Sequence, residues 1–178
     1  MSIFHILIEI NIQKLNVYKS MDKNWLISDH RWNTNINLDP IFSTSISTAA
    51  NGVGGQLNSF KTPLGKHIIK AKIGQNYPLE SVFVGRRPTG EIWNEQLSKK
   101  YPDRDWILTR ILWLSGLEKG KNRFGSVDTM KRYVYIHGSP PSVKMGTVGS
   151  KGCIRMTGKD VITLFNIVPN GTTVNLKL

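Results

Sequence analysis

Phe4, Ile6, Ile8, Ile10 and Ile12 recur at every second position. That is the period of a β-strand with one buried face. The same period closes the chain at Val174, Leu176 and Leu178. Between these ends, Gln13-Lys14-Leu15-Asn16-Val17-Tyr18 reads as a continued strand or the second arm of a hairpin. Ser43 to Ala49 reads as extended, and Ile68-Ile69 leads into a strand. Ser81-Val82-Phe83-Val84 reads as a buried strand ahead of Arg86-Arg87-Pro88-Thr89-Gly90. Tyr133-Val134-Tyr135-Ile136 combines aromatic and β-branched residues, a strand signature that delivers His137 at its end. Trp106 to Leu114 fits a buried helix or a strand with Ile107, Thr109, Ile111 and Trp113 on one side. Asn24 to Ile41 reads as a loop or a weak strand.

Helical signals are few. Glu91 to Lys100 reads as a short polar helix. Thr157 is placed to cap a second helix, with Asp160 near its positive end. Val161, Leu164, Phe165 and Val168 would share its buried face, and Pro169-Asn170-Gly171 would end it. Asn51-Gly52-Val53-Gly54-Gly55 and Ser59-Phe60-Lys61-Thr62-Pro63-Leu64-Gly65 are punctuated turns. Many strands, few helices and frequent glycine turns predict a mainly β sandwich or barrel. With 178 residues and no internal repeat, the chain reads as one domain over 1–178.

Charge narrows the function. Twenty-four Lys and Arg against 12 Asp and Glu give a net charge of +12, a surface that attracts anions. The basic residues are scattered, and no helix-turn-helix, zinc-finger or RNA-binding pattern accompanies them, so no nucleic-acid function is expected. No stretch approaches the ~18 apolar residues of a membrane span, so no membrane insertion is expected. No basic segment precedes the first apolar run and no small-residue cleavage pattern follows it. With a single cysteine, this reads as a cytoplasmic protein, or a periplasmic one if its start was trimmed.

That cysteine, Cys153, sits in Ser150-Lys151-Gly152-Cys153-Ile154-Arg155, with His137-Gly138 sixteen positions upstream. Gly152 frees the backbone to approach a substrate. The cations Lys151 and Arg155 favour a thiolate, the reactive form of a thiol. His137 is a candidate base. His5, His30 and His67 lack a convergent cysteine or acidic set and read as structural or exposed. Neither a metal nor another cofactor is expected.

The order of these segments resembles the L,D-transpeptidase (YkuD-like) catalytic domain. The motif is His137-Gly138, the loop from Ser139 to Gly149, then Ser-x-Gly-Cys-Ile-Arg-Met. Gln13 to Tyr18 looks like that family's opening strand. Ser47-Thr48-Ala49 followed by Lys61-Thr62-Pro63-Leu64-Gly65 looks like its early segment. Gly171-Thr172-Thr173-Val174 looks like its closing one. The resemblance implies a β-sandwich with one or two short helices. It implies Cys153 as nucleophile, His137 as its base, and the amides around Gly152 and Cys153 as oxyanion donors.

The resemblance also implies the substrate, a peptidoglycan-derived tetrapeptide or muropeptide. The bond attacked joins its diamino acid at position three to D-alanine at position four. The family usually has histidine where Lys151 stands. Ser-Lys-Gly-Cys instead resembles a smaller group that looks like cytoplasmic L,D-carboxypeptidases of murein recycling. The expected activity is release of D-alanine through an acyl-enzyme. The alternatives are crosslinking to an amine acceptor and an inactive peptidoglycan-binding module. Arg155 suits bidentate recognition of a substrate carboxylate. Lys151, Ser150 and Gly138 complete the expected substrate-binding set.

Overall fold

The computed structural model describes residues 3–21 and 39–178. Most of Asn24 to Ile41, including His30, lies outside the described residues. The strands are β1 (Ile3–Glu9), β2 (Lys14–Ser20), β3 (Phe42–Ser45), β4 (Gly65–Ile73), β5 (Ser81–Val84), β6 (Arg87–Ile92), β7 (Ile107–Gly116), β8 (Tyr135–Ser139), β9 (Ile154–Thr157) and β10 (Thr173–Lys177). Among the described residues the α-helices are α1 (Glu95–Lys100) and α2 (Gly158–Ile167). The fold is mainly β, as the alternation predicted.

One sheet runs β3-β2-β1-β10-β4-β7, and β7 is its branch point. On one edge β7 takes β4 along Ile111 to Gly116 and then β5 at Ile107 and Leu108. Its other edge takes β8, which pairs parallel with β9. The far ends of this path meet. Just past β3, Ser47 exchanges two backbone hydrogen bonds with Arg155 of β9, at 2.8 and 2.9 Å. The sheet therefore curls closed. Ile6, Ile8, Val17, Ile69, Leu112, Ile136, Ile154 and Met156 fill its interior together with Val161, Leu164 and Phe165 of α2. Thr157 caps α2 as expected, accepting from the Asp160 amide at 3.1 Å.

Four local expectations give way to geometry. The first strand stops at Glu9, and the chain turns over residues 10–13, which leaves Ile12 58% exposed. Leu178, beyond β10, is 63% exposed rather than buried in a strand. Of Trp106 to Leu114, the stretch from Ile107 on is strand, but its alternation breaks at Thr109, which has φ +69°. A bulge between Leu108 and Ile111 shifts the register there, so Leu108 to Leu112 are all buried. The Arg87 to Gly90 stretch, taken as punctuation, forms β6 and folds back onto β5.

Candidate active site

Strand periodicity decides which side chains meet. Ile136 of β8 and its β9 partner Ile154 are fully buried in the interior. Their neighbours Tyr135, His137, Cys153 and Arg155 therefore point to the opposite face. His137 and Arg155 are register partners across β8 and β9. The expected base thus sits on the outer face of β8, and the expected nucleophile on the turn one residue ahead of the neighbouring strand β9.

The turn ahead of β9 is held from three sides. Ser150 Oγ donates to the Cys153 carbonyl at 2.6 Å and accepts from the Gly152 amide at 3.2 Å. The Thr48 carbonyl accepts from the Gly149 and Ser150 amides at 2.8 and 2.9 Å. Thr62 Oγ1 donates to the Gly152 carbonyl at 3.1 Å. Gly152 itself adopts φ +124°, a conformation only glycine takes without strain. The two early segments, Ser47 to Ala49 and Lys61 to Gly65, are therefore the braces of the Cys153 turn.

Cys153 is half-buried at the end of a cavity of about 640 Å³. Its sulfur accepts from the Tyr135 amide at 3.4 Å and lies 3.5 Å from the Tyr133 carbonyl, to which the thiol donates. Burial pushes the thiol up to about 12. The Tyr135 amide pulls it down, Asp105 adds to the rise, and Arg155 and Arg132 oppose it. Desolvation therefore outweighs the nearby cations, although cations beside the thiol were expected to favour the thiolate.

His137 is 1% exposed. Its Nδ1 lies 2.8 Å from the Gly138 carbonyl, which can only accept, so Nδ1 carries the proton. The lone pair is then on Nε2. Burial lowers His137 to about 4, against smaller opposing pulls from the Gly138 carbonyl and Asp105. At neutral pH the pair is thiol and neutral imidazole.

The remaining expected residues occupy different places. Lys151 is exposed and lines the cavity with Cys153. Arg155 is engaged within the protein: it donates to Asp105 at 2.6 Å and to the Gly149 carbonyl at 3.0 Å. Gly138 is buried, and a Cβ there would stand 2.7 Å from the Leu108 carbonyl, so its place is close packing against the β7 bulge. His67 is fully buried between the Gly65 carbonyl and Thr129 Oγ1, at 2.9 and 3.0 Å. His5 is buried against Thr173 Oγ1 at 2.8 Å.

Sequence reasoning missed four charged residues of the cavity. Arg86, Lys131 and Arg132 line the cavity beside Lys151, with Asp105 the one acid in its lining. Arg132 donates to the Lys61 carbonyl at 2.6 Å and the Gly54 carbonyl at 3.2 Å, tying the glycine loop to the site. None of the four lies in a motif. Only the abundance of unassigned cations hinted at a basic cavity, which suits an anionic ligand.

Comparison with known proteins agrees with this architecture. Residues 6–176 match the YkuD family, described as the L,D-transpeptidase catalytic domain. The YkuD protein of Bacillus subtilis (strain 168) is 52% identical over 46 residues, 26% of this chain and 28% of that protein. An L,D-transpeptidase from Mycobacterium smegmatis superposes with a TM-score of 0.53 at 15% identity, covering 99% of this chain and 59% of that one. L,D-transpeptidase 3 from Mycobacterium tuberculosis, solved in complex with a faropenem-derived adduct, gives 0.54 at 14% identity, covering 99% and 61%. These structural likenesses are of fold, and this chain spans about three-fifths of those two structures' length. The match across nearly all of its residues shows that the chain belongs to the YkuD family of L,D-transpeptidase catalytic domains.

Proposed function

We propose that this protein is a cysteine L,D-carboxypeptidase that releases D-alanine from the fourth position of peptidoglycan-derived tetrapeptides. The observation that carries the reading is Cys153 in the lining of a basic cavity, on the turn directly ahead of β9 and beside the strand β8 that carries His137. Family membership supports acyl transfer on stem peptides.

His137 Nε2 takes the thiol proton as the sulfur attacks the carbonyl carbon before D-alanine. The Gly152 amide is already directed at Ser150 Oγ, so the Cys153 amide is the donor assigned to the oxyanion. The C–N bond breaks, and the imidazolium returns its proton to the departing amine. A thioester on Cys153 remains. Water, deprotonated by His137, then cleaves it and restores the thiol.

The choice of water over an amine is motivated by Lys151, which stands exposed at the cavity where the family usually has histidine. The family's name favours the second reading, transfer to the amine of another stem. A cytoplasmic location, where no polymeric wall supplies that amine, goes with the first reading. The M. tuberculosis relative carried a faropenem-derived adduct, and Cys153 is proposed to take the same probe. Mass spectrometry of muropeptides incubated with wild-type and Cys153→Ala protein tests the whole reading. Tripeptide plus D-alanine, absent with Cys153→Ala, supports it. Crosslinked dimers alone would give the amine acceptor, and unchanged activity in Cys153→Ala would remove the cysteine mechanism.

A further inference from the structure

Arg86 stands at the tip of the β5–β6 hairpin. The two-residue connection Gly85-Arg86 has φ +56° and +68°, the signs of a type I′ turn. A non-glycine residue at positive φ is strained, so its place here is bought by the contacts it makes. The guanidinium carbon lies 4.5 Å from the Trp113 ring centroid and 4.8 Å from that of Tyr133. Nη1 donates to the Tyr135 hydroxyl at 3.1 Å. Two aromatic faces and one hydroxyl thus fix the plane of this fork.

Its charge has no counterpart among the described residues. Among the described residues, no carboxylate forms an ion pair with Arg86. The other guanidinium groups of the cavity region are engaged: Arg155 with Asp105, and Arg132 with the Gly54 and Lys61 carbonyls. A guanidinium carries five N–H donors, and Tyr135 accepts from one of them. Arg86 lines the same cavity as Cys153. Tyr135 sets the spacing between the two, because its amide holds the Cys153 sulfur and its hydroxyl holds Arg86.

We infer that Arg86 is a carboxylate-binding subsite for the acyl donor, one tyrosine side chain away from the sulfur. The inference rests on the reading of Cys153 as the acyl-accepting nucleophile. A carboxylate several bonds from the attacked carbonyl reaches Arg86 while that carbonyl sits at Cys153. On the proposed substrate, the group that fits is the free side-chain carboxylate of the diamino acid at position three. The subsite therefore selects donors carrying that carboxylate over donors in which it is amidated. A charged hydrogen-bonded pair of this kind corresponds to about tenfold to hundredfold in affinity.

The test uses two tetrapeptides that differ only there, carboxylate against carboxamide. Calorimetric titration of both into Cys153→Ala protein reads the subsite without turnover. The acid is expected to bind about tenfold or more tighter than the amide. Arg86→Met is expected to erase that ratio and Arg86→Lys to keep part of it, with thermal unfolding confirming that both fold. Equal affinities, absence of binding, or a ratio surviving in Arg86→Met would overturn the inference. Turnover of the acid by wild-type protein is scored separately. Tight, Arg86-dependent binding without D-alanine release would retain the subsite and sink the carboxypeptidase reading.

Discussion

Thr62 Oγ1 reaches across ninety positions of sequence to donate a 3.1 Å hydrogen bond to the Gly152 carbonyl. The same hydroxyl accepts from the Ala49 amide at 3.0 Å, so its single proton is committed to Gly152. In a trans peptide the carbonyl and the following N–H point in opposite directions. By anchoring the Gly152 carbonyl, Thr62 turns the Cys153 amide away from itself and fixes the direction of the proposed oxyanion donor.

Thr62→Val keeps the shape and removes both hydrogen bonds. Acylation of Cys153 by faropenem is expected to slow about tenfold, the worth of a displaced donor, with stability falling by about 1–2 kcal/mol. Alkylation by iodoacetamide, which develops no oxyanion, should change less than about twofold. Thr62→Ser should restore acylation. Equal slowing of both reactions in Thr62→Val would reduce Thr62 to a folding role.

Gly152→Ala tests the turn from within. At φ +124° a side chain is strained whatever room it finds, and the added Cβ would sit 3.4 Å from the Lys61 carbonyl. The cost is about 1–3 kcal/mol if the turn holds its shape. If the turn relaxes instead, the Cys153 amide rotates. The expected result is a lowered urea midpoint and near-complete loss of the faropenem adduct. Full acylation at unchanged stability would mean that the turn does not need its glycine.

The protonation states predict an unusual pH profile. With His137 near 4 and the Cys153 thiol near 12, both partners stay neutral across the physiological range. General-base attack by such a pair gives kcat/KM a plateau from about pH 5 to pH 9. In His137→Gln the free thiolate alone reacts, and iodoacetamide alkylation should climb about tenfold per pH unit through pH 9. A wild-type inflection near 6.5 or 8.5 would instead indicate groups with ordinary solvent-exposed values.

The proposed pair was named from the motif, and strand period agrees with the placement of its histidine. Tyr133 to Ile136 reads as strand, and its period places His137 opposite the interior-facing Ile136. The braces were legible only as an extended stretch and a turn, since nothing local announces that Thr62 contacts Gly152. Arg86 was invisible as a site residue. It arrives through a hairpin whose turn type, not its sequence separation, brings it over Trp113. The Thr109 bulge defeated period-two counting in β7, because one extra residue reverses the facing of everything after it. Lys151 and Arg155 were read from adjacency to the thiol, and adjacency does not give direction: one lies exposed at the cavity, the other pairs with Asp105.

Two buried histidines make the fold acid-sensitive in a defined window. Burial lowers His67 from its ordinary 6.5 to about 4, as it does His137. Between those values the unfolded chain binds a proton that the native chain refuses, so stability falls as pH drops from about 6.5 to about 4. Each histidine contributes up to about 3 kcal/mol of this loss, about 1.4 kcal/mol per pH unit. His67 lies outside the Cys153 cavity lining, so His67→Gln isolates one proton without altering the nucleophile or its base. The variant is expected to be less stable at pH 7, having lost the fit between Gly65 and Thr129. Its stability should also decline less steeply than wild type between pH 6.5 and pH 4.5. Urea unfolding at pH 7, 6, 5 and 4.5 measures both. Parallel wild-type and variant curves would mean that His67 takes up its proton in the folded state as readily as in the unfolded one.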